Sequence, residues 1–115
     1  MTERLYLQKW KKEVLSGKKT MTRRKWCAAT IKRFKSIAEN NGCVAAGGQS
    51  RESCWARVRI LRVYSQVLGD MPRRDVVREG GHSNESPHDF IQRQPELAMC
   101  ELHEEVTVVE FELVQ

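Results

Sequence analysis

The clearest alternation of apolar and polar side chains along the chain lies over residues 54–67. Apolar residues at every second position from Ala56 to Ile60 alternate with arginines, which is the period of a β-strand. At Ile60 and Leu61 the apolar phase slips by one residue. Because such a slip turns the following side chains to the other face of a sheet, we predict a β-bulge or a sharp bend at this point.

Other segments with strand-like patterns lie near both ends of the chain. Residues 105–114 alternate between an apolar face that includes Val109 and Phe111 and a polar face with two glutamates. Three shorter segments also predict strands, at residues 4–7, 19–25 and 43–46. Together with the central strand, these patterns predict about five strands.

A first helix is predicted directly after the first strand, over residues 8–16. Its apolar stripe holds Trp10, Val14 and Leu15, while lysines occupy most of the remaining positions. Gly17 follows at the position that a left-handed C-cap would take. This glycine therefore marks the predicted end of the helix.

Two more short helices are predicted after the central strand. Pro72 suits the first position of a helix over residues 72–79, and Asp70 is its predicted N-cap. Gly80 and Gly81 would stop this helix. The third helix is predicted from a Ser-Pro start and two apolar anchors, at Ser86, Pro87, Phe90 and Ile91.

Two segments are predicted as loops. Residues 26–41 contain apolar side chains at roughly helical spacing, but Asn40, Asn41 and Gly42 are a turn signal, so we predict a loop with at most one helical turn. Residues 47–53 are rich in Gly, Ser and charged side chains and predict a mobile hairpin tip.

These elements predict an α+β fold, in which a small, mostly antiparallel, curved sheet carries a few short helices. With 115 residues, 40% of them hydrophobic and 30% charged, the chain matches one soluble globular domain, so we expect a single domain over residues 1–115. No stretch approaches the roughly 20 apolar residues of a membrane span, and no membrane partner is expected. The start of the chain lacks the apolar run of a secretory signal, so the expected location is cytoplasmic.

The charge of the chain is distributed unevenly. The net charge is +5, yet residues 1–35 contain twelve Lys and Arg against two glutamates. Residues 95–115 contain six glutamates and neither Lys nor Arg. A basic end of this kind favours a polyanionic partner, most often nucleic acid, although a solvated basic face without a partner is the alternative.

The cysteine and histidine patterns give little sign of a metal site. The four cysteines, at positions 27, 43, 54 and 100, form no Cys-x-x-Cys pair and have no histidine at zinc-finger spacing. We expect free, mostly buried thiols, and neither a metal nor a cofactor. The three histidines are interpreted as surface residues.

Residues 17–24, Gly-Lys-Lys-Thr-Met-Thr-Arg-Arg, carry the most unusual chemistry of the chain. Ammonium and guanidinium groups beside hydroxyls can bind a phosphate or a carboxylate through charge-assisted hydrogen bonds. In an extended segment Lys19 and Thr22 lie on opposite faces, and a bulge after the turn would bring them together. A dehydrated Lys19 loses proton affinity and can act as a base for the Thr22 hydroxyl. A basic edge strand that resists aggregation is the alternative interpretation.

The spacing Gly17-x-Lys19-x-x-Thr22-x-Arg24 is similar to the G-x-K-x-x-T-x-R signature of the ASCH domain family. Further segments that resemble the family are residues 9–16, 67–80 with their Glu-Gly end, 86–90, and the closing Val-Val-Glu-Phe at 108–111. Residues 26–53 carry none of the resemblance. It implies a PUA-like small antiparallel β-barrel that recognises RNA or a modified nucleoside in a cleft beside the barrel.

The resemblance also implies roles for individual residues. One ASCH branch consists of small amidohydrolases that remove the acetyl group from N4-acetylcytidine. Carried over by position, Lys19 would be the base, Thr22 the nucleophile and Glu79 an acid/base or orienting carboxylate. Arg24 would bind the anionic or carbonyl part of the ligand. Other ASCH members are associated with RNA cleavage or with binding alone, and Glu79 has an alternative interpretation as a solvated residue at a helix end.

Our leading hypothesis is an ASCH domain that binds RNA or a modified nucleoside or nucleotide. Its catalytic candidates are Lys19, Thr22 and Glu79, and its further ligand-binding or RNA-binding candidates are Lys18, Thr20, Arg23, Arg24, Lys25 and Trp26. A base stacked on Trp26 would contribute roughly 1–3 kcal/mol, whereas Trp10 is interpreted as a core residue. The alternative is an amidohydrolase acting on N4-acetylcytidine, and a ribonuclease is the third candidate.

Overall fold

The computed structural model describes residues 3–114; Met1, Thr2 and Gln115, which the expected domain also includes, lie outside the described residues. Its centre is a five-stranded sheet with the strand order β1-β3-β4-β5-β2. The strands are β1 (Arg4–Tyr6), β2 (Met21–Arg24), β3 (Cys43–Gly47), β4 (Cys54–Val67) and β5 (Glu105–Leu113). The pair β1 and β3 is parallel, and the other neighbours are antiparallel. The predicted α+β fold with a mostly antiparallel sheet is confirmed.

Short helices connect the strands. They are α1 (Lys11–Leu15), α2 (Ala28–Glu39), α3 (Arg73–Arg78), α4 (Pro87–Arg93) and α5 (Pro95–Ala98). Single 3-10 turns precede α1, β4 and α3, at Gln8–Trp10, Arg51–Ser53 and Leu68–Asp70. No helix within residues 3–114 has the length and apolar character needed to cross a membrane.

The long strand β4 contains the irregularity that its sequence predicts. Ile60 pairs with Phe111 of β5, but the next pair joins Arg62 to Glu110, so Leu61 is an extra residue. Leu61 is 45% exposed. The phase slip therefore reflects a β-bulge, because the inserted residue turns outward and the strand resumes its pairing with one added position.

The predicted loop over residues 26–41 is wrong, because this segment contains the twelve-residue helix α2. Phe34 is buried on its inner face, and Ile37 packs against the same core. The turn signal ends this helix, since Asn41 adopts a left-handed φ of 54°. The helical spacing of the apolar side chains predicted this helix better than the turn signal did. An amphipathic helix is stabilised mainly by the packing of its apolar face, and local turn signals do not report on this packing.

Helices α3, α4 and α5 build a second apolar cluster with the 3-10 turn that follows β4 and with the start of β5. Its members are Leu68, Met71, Val76, Phe90, Ile91, Leu97 and Val106. Ser86 caps α4 as predicted, since its Oγ accepts a hydrogen bond from the Asp89 amide at 3.1 Å. The N-cap prediction for Asp70 is wrong: Asp70 lies in a 3-10 turn, and Pro72 takes the N-cap position of α3.

The first helix is shorter than predicted, since a 3-10 turn replaces its first part and α1 begins at Lys11. Val14 is buried, but Leu15 is 44% exposed, so the prediction that Leu15 belongs to the apolar stripe is wrong. Gly17 has a φ of 81°, which confirms the predicted left-handed position. The chain then enters β2 only at Met21, which leaves Lys19 in the connection.

The sheet is open, and its two edges face a common gap. Strands β1 and β2 are the edge strands, and within residues 3–114 no ladder of backbone hydrogen bonds joins them. Closure into a barrel, which the resemblance implies, is therefore not observed. A side chain spans the gap instead, because the Arg24 guanidinium donates a hydrogen bond to the Tyr6 carbonyl oxygen.

The cysteines are free thiols, as predicted, but the expectation that they are mostly buried is wrong. Cys27 is exposed at the start of α2, and the other three are half-buried. Burial of these thiols was expected from residue type alone, and residue type does not fix where in the fold a cysteine lies.

Candidate functional site

A cavity of about 360 Å³ lies at the free edge of β2, next to the end of β1. Residues 6–10 form one wall and residues 94–97 another. Lys19, residues 22–24 and Glu79 complete the lining. The site therefore collects side chains from the beginning, the middle and the end of the chain.

Lys19 is held at the wall of this cavity by backbone carbonyl groups. Its side chain is buried, and Nζ donates hydrogen bonds of 2.8 Å to the carbonyl oxygens of Met21 and Glu79. The Met21 carbonyl is available because it faces the free edge of β2, whereas the neighbouring Thr20 carbonyl accepts a bond from Phe111 of β5. An unpaired strand edge thus supplies one of the two anchors of the lysine.

The same ammonium group lies over an aromatic ring. Nζ of Lys19 is 4.6 Å from the centroid of the Trp10 ring, which is a cation–π distance. The Glu79 carboxylate is also close, with Oε1 at 3.8 Å from Nζ. The ammonium group is therefore near both an aromatic ring and a carboxylate.

Burial lowers the pKa of Lys19 from its ordinary value of 10.5 to about 8. The Glu79 carboxylate opposes this decrease, while the positive charges of Arg24 and Arg23 add to it. At pH 7 the protonated form still predominates, but the neutral amine becomes accessible within the physiological range.

Arg23 is an internal cation that is held by two carboxylates. Its Nη1 donates to Glu79 Oε2, and its Nη2 donates to Asp75 Oδ2 at 2.8 Å and to Gln66 Oε1. The side chain is buried, and Nε is a buried polar atom without a hydrogen-bond partner among the described residues. Both terminal nitrogens of Arg23 therefore donate hydrogen bonds to protein side chains. One of these bonds holds the Glu79 carboxylate in place.

Glu79 is 2% exposed, so its interpretation as a solvated residue at a helix end is wrong. It occupies the C-cap position of α3, and Gly80 follows with a φ of 100°. A Cβ atom on Gly80 would come within 2.8 Å of the Trp10 ring. The close approach of this glycine therefore lets the end of α3 and Trp10 contribute to the same cavity.

Thr22 and Arg24 project from β2 on the face opposite to Arg23. The Thr22 hydroxyl accepts a hydrogen bond of 3.1 Å from Arg24 Nε. Burial lowers the pKa of the Arg24 guanidinium, and the negative charges of Glu96 and Glu79 act against this decrease. Thr22 and Arg24 line the cavity together with Arg23, although Arg23 projects from the opposite face of the strand. This is possible because β2 is an edge strand, and a cavity along its free edge is accessible from both faces.

Five of the residues that the sequence singled out come together at this cavity. They are Lys19, Thr22, Arg23, Arg24 and Glu79. The other candidates lie outside its lining: Lys18 is exposed, Thr20 is half-buried, and Lys25 pairs with Glu104 at 3.1 Å. Trp26 packs against Phe34 of α2 with a centroid distance of 4.5 Å. The stacking position predicted for Trp26 is therefore not at this cavity.

The residues that form the opposite walls are not among the candidates predicted from the sequence. Trp10 packs against both apolar clusters, as expected of a core residue, but it is half-buried and its ring also contacts Lys19. Its neighbours along the chain, Lys9 and Lys11, were a signal that this tryptophan lies near the surface. The wall at residues 94–97 includes the start of α5, a helix that was not predicted but that the Gln-Pro-Glu sequence could have indicated.

Comparison with known proteins gives a likeness of fold. No protein-family model matches the chain, and the curated proteins give no match either. The crystal structure of protein EF3133 from Enterococcus faecalis V583, labelled with the family model DUF984, superposes with a TM-score of 0.63. The two sequences are 16% identical, and the match covers 99% of this chain and 81% of that chain. At this identity, the similarity shows a shared fold.

Proposed function

We propose that the protein binds a single nucleoside, modified nucleoside or unpaired RNA nucleotide, with the base in the cavity at the edge of β2. The observation that carries this proposal is the buried Lys19 ammonium between the Trp10 ring and Glu79. A cavity of about 360 Å³ is in the range of small-molecule sites and suits one nucleoside rather than a longer segment of RNA.

The groups that line the cavity suit a nucleobase. The Trp10 ring offers an aromatic surface, and base stacking on such a ring contributes about 1–3 kcal/mol. An ammonium group has three donor hydrogens, and two of those on Lys19 are engaged by carbonyl oxygens. The third, together with Arg24 and the Thr22 hydroxyl, can donate to a carbonyl oxygen or ring nitrogen of a base.

The resemblance of the signature to ASCH domains supports the same proposal independently. All four signature positions, Gly17, Lys19, Thr22 and Arg24, lie at this cavity or in the turn that leads to it. The family resemblance implies recognition of RNA or of a modified nucleoside.

Binding is favoured over turnover by the hydrogen bonds of the two central side chains. Lys19 donates to backbone carbonyls, and Thr22 accepts from Arg24. Within residues 3–114, no hydrogen bond joins Lys19 to Thr22. A lysine that activates a threonine nucleophile would need this contact. The three histidines are exposed and do not line the cavity, which weakens the case for a ribonuclease.

An amidohydrolase is the second candidate, and the lowered pKa of Lys19 favours it. In that reaction the Thr22 oxygen attacks the acetyl carbon of N4-acetylcytidine and gives its proton to neutral Lys19. The C–N bond breaks, the leaving cytidine amine takes this proton, and water then hydrolyses the acetyl ester to acetate. Glu79, whose carboxylate is held by Arg23, would orient the ammonium form of the lysine.

Calorimetric titration with N4-acetylcytidine, cytidine and a short single-stranded RNA, combined with an assay for acetate, tests the proposal. The matched variants are Lys19→Met and Lys18→Met, because the first residue lines the cavity and the second is exposed. We expect saturable binding without turnover that is lost in K19M and retained in K18M. Acetate release that stops in both K19M and Thr22→Val would establish the hydrolase instead. Equal affinities for the two lysine variants, or no binding, would overturn nucleoside recognition.

A further inference from the structure

The wall of the cavity at α5 carries an exposed carboxylate that one backbone hydrogen bond holds. Glu96 is the second residue of α5 and lines the cavity together with Gln94 and Pro95. Its Oε2 accepts a hydrogen bond of 2.8 Å from the backbone amide of Lys25, the residue that follows β2. The carboxylate is thereby tethered beside the end of β2, where its negative charge acts on Arg24.

The segment that builds the cavity is strongly basic, and the lining has four cationic side chains against two carboxylates. The charged lining residues are Lys9, Lys19, Arg23, Arg24, Glu79 and Glu96. Arg23 is neutralised by its two carboxylate partners, and Lys9 is exposed at the rim. Lys19 is partly compensated by Glu79 at 3.8 Å. Among the charged groups, Glu96 has the largest effect on Arg24.

We propose that Glu96 determines specificity by excluding phosphorylated ligands, so that the site selects uncharged nucleosides and bases over nucleotides. This inference rests on the proposed nucleoside site and narrows its ligand class, because it leaves out the RNA nucleotide, which carries a phosphate. A neutral ligand can accept hydrogen bonds from Lys19 and Arg24 while Glu96 stays in place. A phosphate dianion beside Arg24 would share the cavity with the Glu96 carboxylate, and these like charges repel each other, although solvent screens the repulsion because Glu96 is exposed.

The variant Glu96→Gln isolates this effect. Glutamine keeps a side-chain oxygen that can accept the hydrogen bond from the Lys25 amide, and it removes only the charge. Glu101→Gln is the matched control, because Glu101 is exposed and does not line the cavity. Both variants change the net charge of the protein by the same amount, so any difference between them reflects position.

Two measurements test the inference. In the first, affinities are compared for the common ribonucleosides and their 5′-monophosphates. We expect the wild type and E101Q to favour the nucleoside, and we expect E96Q to change the ratio of the two affinities by about tenfold towards the monophosphate. An unchanged ratio in E96Q would overturn the role of Glu96.

The second measurement uses inorganic phosphate and needs no nucleoside. The indole N–H signal of Trp10, assigned in NMR spectra with Trp10→Phe, reports on the occupancy of the cavity. We expect phosphate to shift this signal in E96Q at concentrations that leave the wild type and E101Q unchanged. If no nucleoside binds but phosphate still distinguishes E96Q, the proposed function fails while the role of Glu96 stands. The same response to phosphate in all three proteins contradicts the inference.

Discussion

The ammonium group of Lys19 and the backbone carbonyl of Glu79 are joined by a hydrogen bond of 2.8 Å, although the two residues are 60 positions apart in the sequence. The Glu79 side chain does not make this bond, because Arg23 holds its carboxylate. Glu79 therefore contributes twice to the site. Its backbone anchors the lysine, and its side chain places a negative charge 3.8 Å from the same nitrogen.

Removing the charge of Glu79 should destabilise the protein strongly. Glu79→Gln leaves Arg23 buried with one carboxylate partner, Asp75, instead of two, and the loss of one buried charged partner costs about 1–3 kcal/mol. Glu112→Gln is the control, since it removes an exposed pair with Arg59 that contributes less than about 1 kcal/mol. Urea unfolding measures both variants, and similar free energies of unfolding would contradict a structural role for the buried network.

The stability of the protein should depend on pH through Lys19. Folding lowers the pKa of this lysine from 10.5 to about 8, so the folded protein binds the proton less tightly than the unfolded chain does. Between these values, the free energy of unfolding should rise with pH, by at most about 1.4 kcal/mol per pH unit. Below about pH 8 both states are protonated at Lys19, and the contribution stays constant.

Lys19→Met provides the reference for this measurement, because it lacks the titrating group. The difference in unfolding free energy between the wild type and K19M should change across the alkaline range in favour of the wild type. A difference that is independent of pH would show that Lys19 keeps its ordinary proton affinity in the folded protein.

The pH dependence of ligand binding should differ from that of turnover. If Lys19 donates a hydrogen bond as an ammonium group, nucleoside affinity should fall as pH rises through about 8. If the neutral amine acts as a base, the rate of acetate release should instead increase over the same range. Titrations and initial rates in a common buffer series therefore decide between the two proposed functions, and a flat profile argues against both roles of the lysine.

Gly80 should be much less tolerant of substitution than Gly17, although both adopt left-handed backbone angles. Gly80→Ala adds a Cβ within 2.8 Å of Trp10, whereas no atom lies within 4 Å of the Cβ that Gly17→Ala would add. Backbone strain should destabilise both variants by about 1 kcal/mol, but only G80A should displace Trp10 and weaken nucleoside binding. Calorimetry and thermal unfolding of the two variants measure these effects, and equal binding by both would contradict the proposed packing of Trp10.

Substitution of either Trp10 or Trp26 should lower stability, since both pack against the core, but only the substitution of Trp10, which lines the cavity, should weaken binding. Trp10→Leu removes the aromatic surface beside Lys19 and should weaken nucleoside binding by roughly 1–3 kcal/mol. Trp26→Leu removes a contact with Phe34 in the core and should lower the melting temperature while leaving nucleoside affinity unchanged. If W26L and not W10L abolishes binding, the ligand lies elsewhere than in the cavity at β2.

Several local features were predictable because they depend on neighbouring residues alone. The apolar phase slip at Ile60 and Leu61 indicated the bulge of β4, and Gly17 indicated the end of the first helix. The loop predicted over residues 26–41 is wrong, because the turn signal at the end of the segment only ends a helix. The apolar side chains at helical spacing form the face that α2 packs against the core.

The sequence by itself determined the strands, the bulge, the left-handed turn at Gly17 and the concentration of cations and hydroxyls that follows it. Only the tertiary structure decided which of these cations are free to meet a ligand. Arg23 is withdrawn into an ion pair and Trp26 into the core, while Trp10, Glu79 and Glu96 are brought to the cavity from distant segments. The physical reason is that burial and charge pairing depend on the distance between side chains in space, and the spacing of residues in the sequence does not determine this distance. Here the fold brings these side chains together at the open edge of β2.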